Sequence, residues 1–171
     1  MDSGTIIIAI LFILVCSAPF VIMGRNSKKR EKQFLRTLLE MVYKNNGKLS
    51  NYDFLTHAAI GIDNDTNLVL FVKKVNDIET HQLATLHEIQ RCYVITATRN
   101  GRNEDGIFKI IDKLELVFEH RDKRKADTIL EFYNADYSSP TLTGELQLVE
   151  KWCKMLNDKI VVSASQVKMI A

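Results

Sequence analysis

The sequence contains little proline, glycine or cysteine: two, seven and three residues respectively in a chain of 171. With so few prolines and glycines and no low-complexity tract, the composition argues against disorder outside short loops and the last residues. Cys16, Cys92 and Cys153 are odd in number and widely spaced, which excludes the disulfide framework of a small secreted protein. We therefore expect a folded chain whose thiols stay free in a reducing compartment.

Catalytic and metal-binding motifs are also absent from the sequence. No glycine-rich phosphate loop or nucleophile elbow occurs, and the four histidines lack the i, i+4 spacing of a helical zinc pair. The segment "DNDTNLVLFVKK" begins like a calcium loop, but Leu68 stands where glycine is needed and Lys74 where a bidentate glutamate is needed. We interpret it as a hairpin turn and assign no catalytic residue, metal site or cofactor.

The basic residues are concentrated in one short segment. The net charge is +2, but residues 25–32 carry five basic residues and one acid, a net +4, so the remaining residues sum to −2. The chain outside residues 25–32 is therefore nearly neutral and does not offer the broad basic surface on which nucleic-acid binding depends. We therefore do not expect nucleic acid as a partner.

An apolar run precedes this basic segment. Residues 6–23 are eighteen positions without a charge, and as a helix they would extend about 27 Å, close to the roughly 30 Å of a bilayer's hydrocarbon core. The leading "MDSGT" has no lysine or arginine, and Gly24 and Arg25 follow the run in place of the small-x-small site of a cleaved signal peptide. We predict a retained signal-anchor, a single-pass transmembrane helix over residues 6–24, in the cell membrane.

The cations beside the run indicate its orientation. They are Arg25, Lys28, Lys29, Arg30 and Lys32, and no basic residue precedes the run. Because positive charge accumulates on the cytoplasmic side, we expect the C-terminal domain to be cytoplasmic. The same side chains are candidates for contact with the anionic membrane surface, at about 1 kcal/mol each. The simpler alternative is that they only set the topology.

An amphipathic helix is predicted in the basic juxtamembrane segment, residues 25–49. Its apolar residues recur at steps of three and four: Phe34, Leu35, Leu38, Leu39 and Val42. The tripeptide "NNG" ends the pattern, and Gly47 suits a left-handed cap. The stripe can pack on the following domain, lie in the membrane interface or pair with a second copy, and the sequence leaves these alternatives open.

The periodicity changes from helical to strand-like after Ser50. Six segments rich in β-branched and aromatic residues follow, separated by turns such as "DNDTN" and "NGRNEDG". A helical pattern then returns, with Trp152 beside an apolar stripe of Leu146, Val149, Cys153, Leu156 and Ile160. We predict an α+β domain over residues 50–162, followed by a tail at 163–171. Its antiparallel six- to seven-stranded curved sheet, or partly open barrel, would be closed by the C-terminal amphipathic helix.

A second cluster of basic residues lies in the loop "HRDKRK" between two predicted strands. It contains Arg121, Lys123, Arg124 and Lys125. Such a compact basic tip can touch phosphate head groups or an acidic partner. The plainer alternative is a polar hairpin end.

The chain resembles a group of single-pass bacterial membrane proteins without an established activity. The resemblance spans nearly the whole chain, through "AIGIDNDTNLVLFVKK", "LHEIQRCYVI", "LEFYNAD" and, most specifically, "DKLELVF" and "GELQLVEKW". More loosely, strands followed by one C-terminal amphipathic helix are similar to a bacterial pleckstrin-homology-like (PH-like) module. This resemblance implies a curved antiparallel sheet closed by the helix, and it supplies no function.

Two functions remain open from the sequence. The first is a membrane-anchored, non-enzymatic binding or scaffolding module that engages the lipid bilayer or a protein partner. The alternative is an enzyme or regulatory subunit whose site is assembled from strand acids and histidines. The candidates for such a site are His57, His81, His87, Glu88 and Asp112. A polar pocket that gathers two or more of these side chains would favour the enzyme.

Overall fold

The computed structural model describes residues 27–103, 106–139 and 142–170. The predicted transmembrane segment at residues 6–24 and the cation Arg25 lie outside these ranges. Among the described residues, no helix combines the length and the apolar character that crossing a membrane requires.

Within the described ranges, two helices flank seven strands. Helix α1 covers residues 27–44. The strands are β1 (Asn51–Phe54), β2 (Ala58–Asp63), β3 (Leu68–Val75), β4 (Ile78–Thr85), β5 (Ile89–Asn103), β6 (Gly106–His120) and β7 (Thr128–Asn134), and helix α2 is Glu145–Ile170. The chain divides into two compact units between Arg36 and Thr37, so all strands and α2 belong to the second unit.

The strands form two antiparallel sheets in sequence order. Strands β1 to β4 make a four-stranded sheet, and β5 to β7 make a three-stranded sheet. This confirms the α+β class, the antiparallel pairing and the C-terminal helix. It corrects the expectation of a single sheet, because a turn of 3₁₀ helix at Leu86–Glu88 separates β4 from β5 and these two strands do not pair. The described strands therefore form no closed barrel.

The main core lies between the two sheets and α2. Successive side chains of a strand point to opposite faces, so every second residue points into this core. These residues are Ile60, Ile62, Val69, Phe71, Leu114, Leu116 and Phe118. Phe132 of β7 stacks on Phe71 of β3, with ring centroids 5.6 Å apart. Because burial of each such side chain contributes about 1.5–3 kcal/mol, this core is the main source of stability.

Helix α2 connects to one strand of each sheet. Asp53 on β1 accepts hydrogen bonds at Oδ2 from Trp152 Nε1 and Lys151 Nζ, both at 2.8 Å. On β5, Asn157 accepts a hydrogen bond from the Cys92 backbone N–H at 2.9 Å and donates one to the Cys92 carbonyl at 2.7 Å. The Asn157 amide thus satisfies backbone groups at the edge of a sheet. Trp152 is only 1% exposed, which confirms it as a core residue.

The apolar stripe of α2 faces the core as predicted. Val149, Leu156 and Ile160 are buried, and Leu146 and Cys153 pack partly buried against the same cluster. The helix is longer than expected, since it continues to Ile170 through residues that the sequence analysis assigned to a tail.

A second apolar layer covers the outer face of the four-stranded sheet. Ala59, Leu70 and Val72 are fully buried, although they alternate along β2 and β3 with residues of the main core and so point to the opposite face. Both faces of these two strands are therefore removed from water.

The last turns of α1 belong to this second layer. Leu38 and Val42 are buried, and Leu38 Cδ1 lies 3.5 Å from the position that a Cβ on Gly61 of β2 would occupy. At the same face, Thr37 Oγ1 donates a hydrogen bond to Glu79 Oε1 of β4 at 3.1 Å. This part of the α1 stripe packs on the domain, which was the first of the three alternatives. The compact unit begins at Thr37, whereas the sequence analysis placed the start of the domain at residue 50.

The hairpin turn between β2 and β3 is organised by the buried side chain of Asp63. Its Oδ2 accepts hydrogen bonds from the Lys48 backbone N–H at 3.1 Å and from Thr66 Oγ1 at 2.7 Å, and its Oδ1 accepts one from the Asp65 backbone N–H at 2.9 Å. A Cβ on Gly47 would lie only 2.2 Å from Oδ2, so glycine is required where the α1–β1 connection passes this carboxylate. The segment "DNDTN" is thus the hairpin turn that the sequence predicted.

These contacts predict an acid-dependent contribution of Asp63 to stability. Burial alone raises the pKa of Asp63, but its hydrogen bonds, with Thr66 foremost, hold the pKa below its ordinary value. Because the pKa of Asp63 is lower in the folded chain than in the unfolded chain, its ionised carboxylate stabilises the fold at pH values above the unfolded pKa of about 4. This stabilisation is lost as the pH falls through the pKa of the folded state. We expect Asp63→Asn to reduce the free energy of unfolding by about 1–3 kcal/mol at pH 7, and by less at pH 3.

The measurement is urea unfolding at pH 7, 5 and 3, with Asp65→Asn as the matched control. The Asp65 side chain is exposed in the same turn, so this substitution should leave the unfolding free energy nearly unchanged. A constant difference between Asp63→Asn and the parent chain at all three pH values would show that the charge of Asp63 has no part in the effect.

Candidate functional site

The predicted basic tip lies in the turn between β6 and β7, and each of its cations has an internal partner. Arg121 Nε donates to the His87 carbonyl at 3.0 Å, Lys123 pairs with Glu119, Arg124 Nη2 pairs with Asp122 at 3.0 Å, and Lys125 Nζ pairs with Glu88 at 2.7 Å. The hydrogen bond from Lys123, followed by that from Arg91, lowers the pKa of Glu119 below its ordinary value. A phosphate group or an acidic partner would have to compete with these pairs.

The basic residues near the predicted span are placed differently. Lys28, Lys29, Arg30 and Lys32 are exposed on the first turns of α1, while Arg25 lies outside the described residues. Their exposure leaves them accessible to an anionic surface.

The histidines and acids of the enzyme hypothesis lie on separate elements with separate partners. His81 Nε2 contacts Glu79 at 2.8 Å, His57 packs edge-on against the Tyr137 ring at 5.6 Å, Glu88 pairs with Lys125, and Asp112 pairs with Arg99 at 3.0 Å. His87 and Glu88 are neighbours only because they share the 3₁₀ turn. Within the described ranges, no three His, Cys, Asp or Glu side chains are grouped so that they could hold a metal ion.

A polar cluster that sequence reasoning missed connects β3 to β7. Lys73 Nζ lies 2.8 Å from Glu131 Oε1, the Tyr137 hydroxyl donates to the same carboxylate, and Asn134 Nδ2 donates to Oε2 at 3.2 Å. Burial raises the pKa of Glu131, but these partners, Lys73 first, bring it below its ordinary value. Lys73 joins the two sheets through Glu131, and Tyr137 and Asn134 satisfy the same carboxylate, so we assign the cluster a structural role.

Beyond the end of β7, β5 and β6 continue as an exposed two-stranded arm. These two strands have fifteen residues each, but β7 pairs with β6 only between Lys113 and Phe118. A register shift at Ala97/Thr98 marks the point beyond which β5 and β6 pair only with each other. We define the arm as the paired segments Thr98–Asn103 and Gly106–Ile111.

Apolar and basic side chains are both exposed on the arm. Ile107 is 75% exposed and Phe108 is 45% exposed. Arg102 and Lys109 are exposed and make no ion pair with any described residue. A Cβ on Gly101 would lie 2.7 Å from Phe108 Cζ, so this glycine leaves room for the aromatic ring across the strand pair.

An isolated two-stranded hairpin is at best marginally stable in water, because it has no third strand or helix on which to bury a face. The arm is such a hairpin at its outer end, and its apolar side chains are left in water. We therefore take the arm as the candidate interaction surface. Sequence reasoning predicts a strand over "FKIIDKLELVFEH" but interprets "NGRNEDG" entirely as a turn, so it missed the continuation of β5 that forms the other half of the arm.

Comparisons with protein-family models, with curated proteins and with solved structures find no match to this chain.

Proposed function

We propose that the protein is a membrane-anchored, non-enzymatic binding or scaffolding module whose folded domain faces the cytoplasm. The observation that carries the binding role is the arm, on which Ile107 and Phe108 remain 75% and 45% exposed. The membrane anchor and its orientation rest on the charge-free run at residues 6–23 and on the cations that follow it. The exposed lysines and arginine at the start of α1 suit contact with the bilayer surface.

The proposal includes a PH-like fold for the domain. It is supported by the order of the elements, seven antiparallel strands followed by the helix α2, whose Trp152 fills the core between the sheets. Two features are additions to that pattern: the division of the strands into two sheets, and the α1 residues that cover the outer face of the four-stranded sheet.

One experiment tests the anchor and the binding role together. A photo-crosslinking amino acid replaces Ile107 in the full chain, and the membranes are washed with alkaline carbonate before illumination. We expect the chain to remain in the membrane pellet, to resist protease added outside intact cells, and to form protein adducts of higher mass. The matched control carries the same amino acid at Lys154, an exposed position on α2, and should form no adduct.

Each outcome addresses one part of the proposal. Release of the chain into the carbonate wash would refute the anchor, and digestion from outside would refute the orientation. Adducts of equal yield from both positions, or from neither, would refute the arm as the binding surface.

A further inference from the structure

Two cysteines lie together where α2 packs on β5. Cys153 Sγ of α2 donates a hydrogen bond to the backbone carbonyl of Cys92 on β5 at 3.4 Å, although the two residues are 61 positions apart in the sequence. A disulfide requires Cα atoms about 4.4–6.8 Å apart. Because the Cys153 thiol contacts the main chain of Cys92 itself, the fold brings the two residues near that separation.

The side chain of Asn157 holds this pair in place. Its Oδ1 accepts a hydrogen bond from the Cys92 backbone N–H at 2.9 Å, and its Nδ2 donates to the Cys92 carbonyl at 2.7 Å and to Cys153 Sγ at 3.5 Å. Asn157 and Cys153 are four residues apart on α2 and so lie on the same side of the helix. The positions of both cysteines are therefore fixed by contacts that need no bond between the sulfurs.

The two thiols differ in their access to solvent. Cys92 is 4% exposed, and burial, followed by the neighbouring Cys153 thiol, raises the pKa of Cys92 above its ordinary value. Cys153 is only partly buried, and Asn157 Nδ2 supplies a hydrogen-bond donor to its sulfur. Because oxidants react with accessible thiolates, a small oxidant reaches Cys153 first, and Cys92 lies next to it to react second.

Packing alone does not account for this pair. A buried free cysteine behaves as a small apolar residue, which describes Cys92 within the core cluster. Packing does not require a second thiol in contact with the main chain of the first, with an amide donor at its sulfur. An accessible thiol beside a second thiol is the arrangement of cysteines that undergo reversible oxidation.

We infer that Cys92 and Cys153 form a site of reversible oxidation by hydroperoxides, at which a disulfide joins β5 to α2. The inference goes beyond the proposed function and is independent of it, since it requires neither the anchor nor the arm.

The reaction consumes one molecule of hydrogen peroxide in two steps. The Cys153 thiolate attacks a peroxide oxygen, the O–O bond breaks, and the leaving hydroxide takes the proton that the thiol released, which gives water and a sulfenic acid. The Cys92 sulfur then attacks the Cys153 sulfur, the S–O bond breaks, and the leaving hydroxide takes the Cys92 thiol proton as a second water. Both sulfurs are oxidised and the peroxide is reduced. In a reducing compartment, dithiols reverse the reaction by thiol–disulfide exchange.

The disulfide should stabilise the domain. It closes a long loop that contains β6 and β7, and a cross-link constrains the unfolded chain more strongly when the loop is long. We expect the midpoint of thermal unfolding of the full chain in detergent to rise by at least about 5 °C on oxidation. A midpoint that stays the same or falls would overturn the inference.

The pairing is tested by peptide mass. The full chain in detergent is treated with hydrogen peroxide, free thiols are blocked with N-ethylmaleimide, and the chain is digested with trypsin. Cleavage at lysine and arginine gives "CYVITATR" with Cys92 and "WCK" with Cys153. We expect these two peptides to be linked, with a mass two hydrogen atoms below their sum, and to separate on treatment with dithiothreitol.

Two variants assign the order of the steps. In Cys92→Ala, the sulfenic acid of Cys153 has no second thiol and should be trapped by dimedone. In Cys153→Ser, Cys92 should keep its thiol and give no dimedone adduct. Because Cys153 is partly exposed, Cys153→Ser should fold normally, and far-ultraviolet circular dichroism checks both variants. As a further control, the chain unfolded in urea should also form disulfides with Cys16, whereas the folded chain should form only the link between Cys92 and Cys153.

Three results of the peptide analysis would overturn the inference. They are the absence of the linked peptide after peroxide treatment, a disulfide from either residue to Cys16 in equal yield in the folded chain, and a dimedone adduct on Cys92 in Cys153→Ser. None of these results bears on the membrane pellet or on the adducts from position 107, so the proposed function would stand or fall separately.

Discussion

We expect Trp152→Ala to lower the free energy of unfolding by about 3–5 kcal/mol, a large part of the roughly 5–15 kcal/mol that stabilises a domain. The indole is 1% exposed and lies in the core between the two sheets. Its removal leaves a cavity and also removes the hydrogen bond from Nε1 to Asp53 of β1. The measurement is urea or thermal unfolding of the domain, read by far-ultraviolet circular dichroism.

Two variants separate the contributions of this site. Trp152→Phe keeps most of the apolar volume but loses the bond to Asp53, so we expect a loss of about 1–2 kcal/mol for that variant. Lys154→Ala, on the exposed side of α2, should change stability by less than about 0.5 kcal/mol. If Trp152→Ala unfolded at the same urea concentration as Lys154→Ala, the indole would have no role in joining α2 to the sheets.

The sequence was sufficient to predict α2 and most of the strands. In a helix with one solvent-exposed side, apolar residues recur every three or four positions along the sequence. Val149, Leu156 and Ile160 of α2 follow this pattern and lie on its buried side. In β6, Leu114, Leu116 and Phe118 alternate with Glu115 and Glu119 and likewise marked the core face, although Val117 between them is also buried. Local periodicity reports burial wherever one side of an element faces water.

The same reasoning failed where periodicity carries no information. Strand β1, Asn51–Phe54, has four residues at a sheet edge, of which none is fully buried, so it shows no apolar alternation. Strands β2 and β3 are buried on both faces, and a continuous apolar run does not reveal that a helix covers the second face. The separation of the strands into two sheets depends on long-range pairing, which a local pattern does not encode.

The candidate site was hidden for a related physical reason. The arm is exposed on both faces, so "NGR" carries no buried positions, and its polar and glycine residues match turn chemistry as well as strand. The basic tip, in contrast, was found from its composition, but the ion pair of Lys125 with Glu88 joins positions distant in sequence and is visible only in the structure.

The second large effect concerns the N-terminal boundary of the folded domain. We expect a fragment of residues 27–171 to be soluble and to unfold cooperatively, and a fragment of residues 50–171 to aggregate. The shorter fragment lacks Leu38 and Val42, so Leu70 and Val72 of β3 become exposed on the outer face of the sheet. Each buried apolar side chain lost from this layer costs about 1.5–3 kcal/mol, and the new apolar patch promotes association.

Two adjacent leucines provide a test of this boundary without truncation. In the fragment of residues 27–171, Leu38→Asp places a charge in the layer beneath α1 and should lower the midpoint of thermal unfolding sharply or abolish folding, because a buried unpaired carboxylate is strongly destabilising. Leu39→Asp, at a position on the exposed side of the same helix turn, should leave the midpoint nearly unchanged. Size-exclusion chromatography and thermal unfolding of both variants and both fragments supply the measurement. If residues 50–171 were monomeric and as stable as residues 27–171, α1 would contribute nothing to the core, and its stripe would be free for the membrane interface or a second copy.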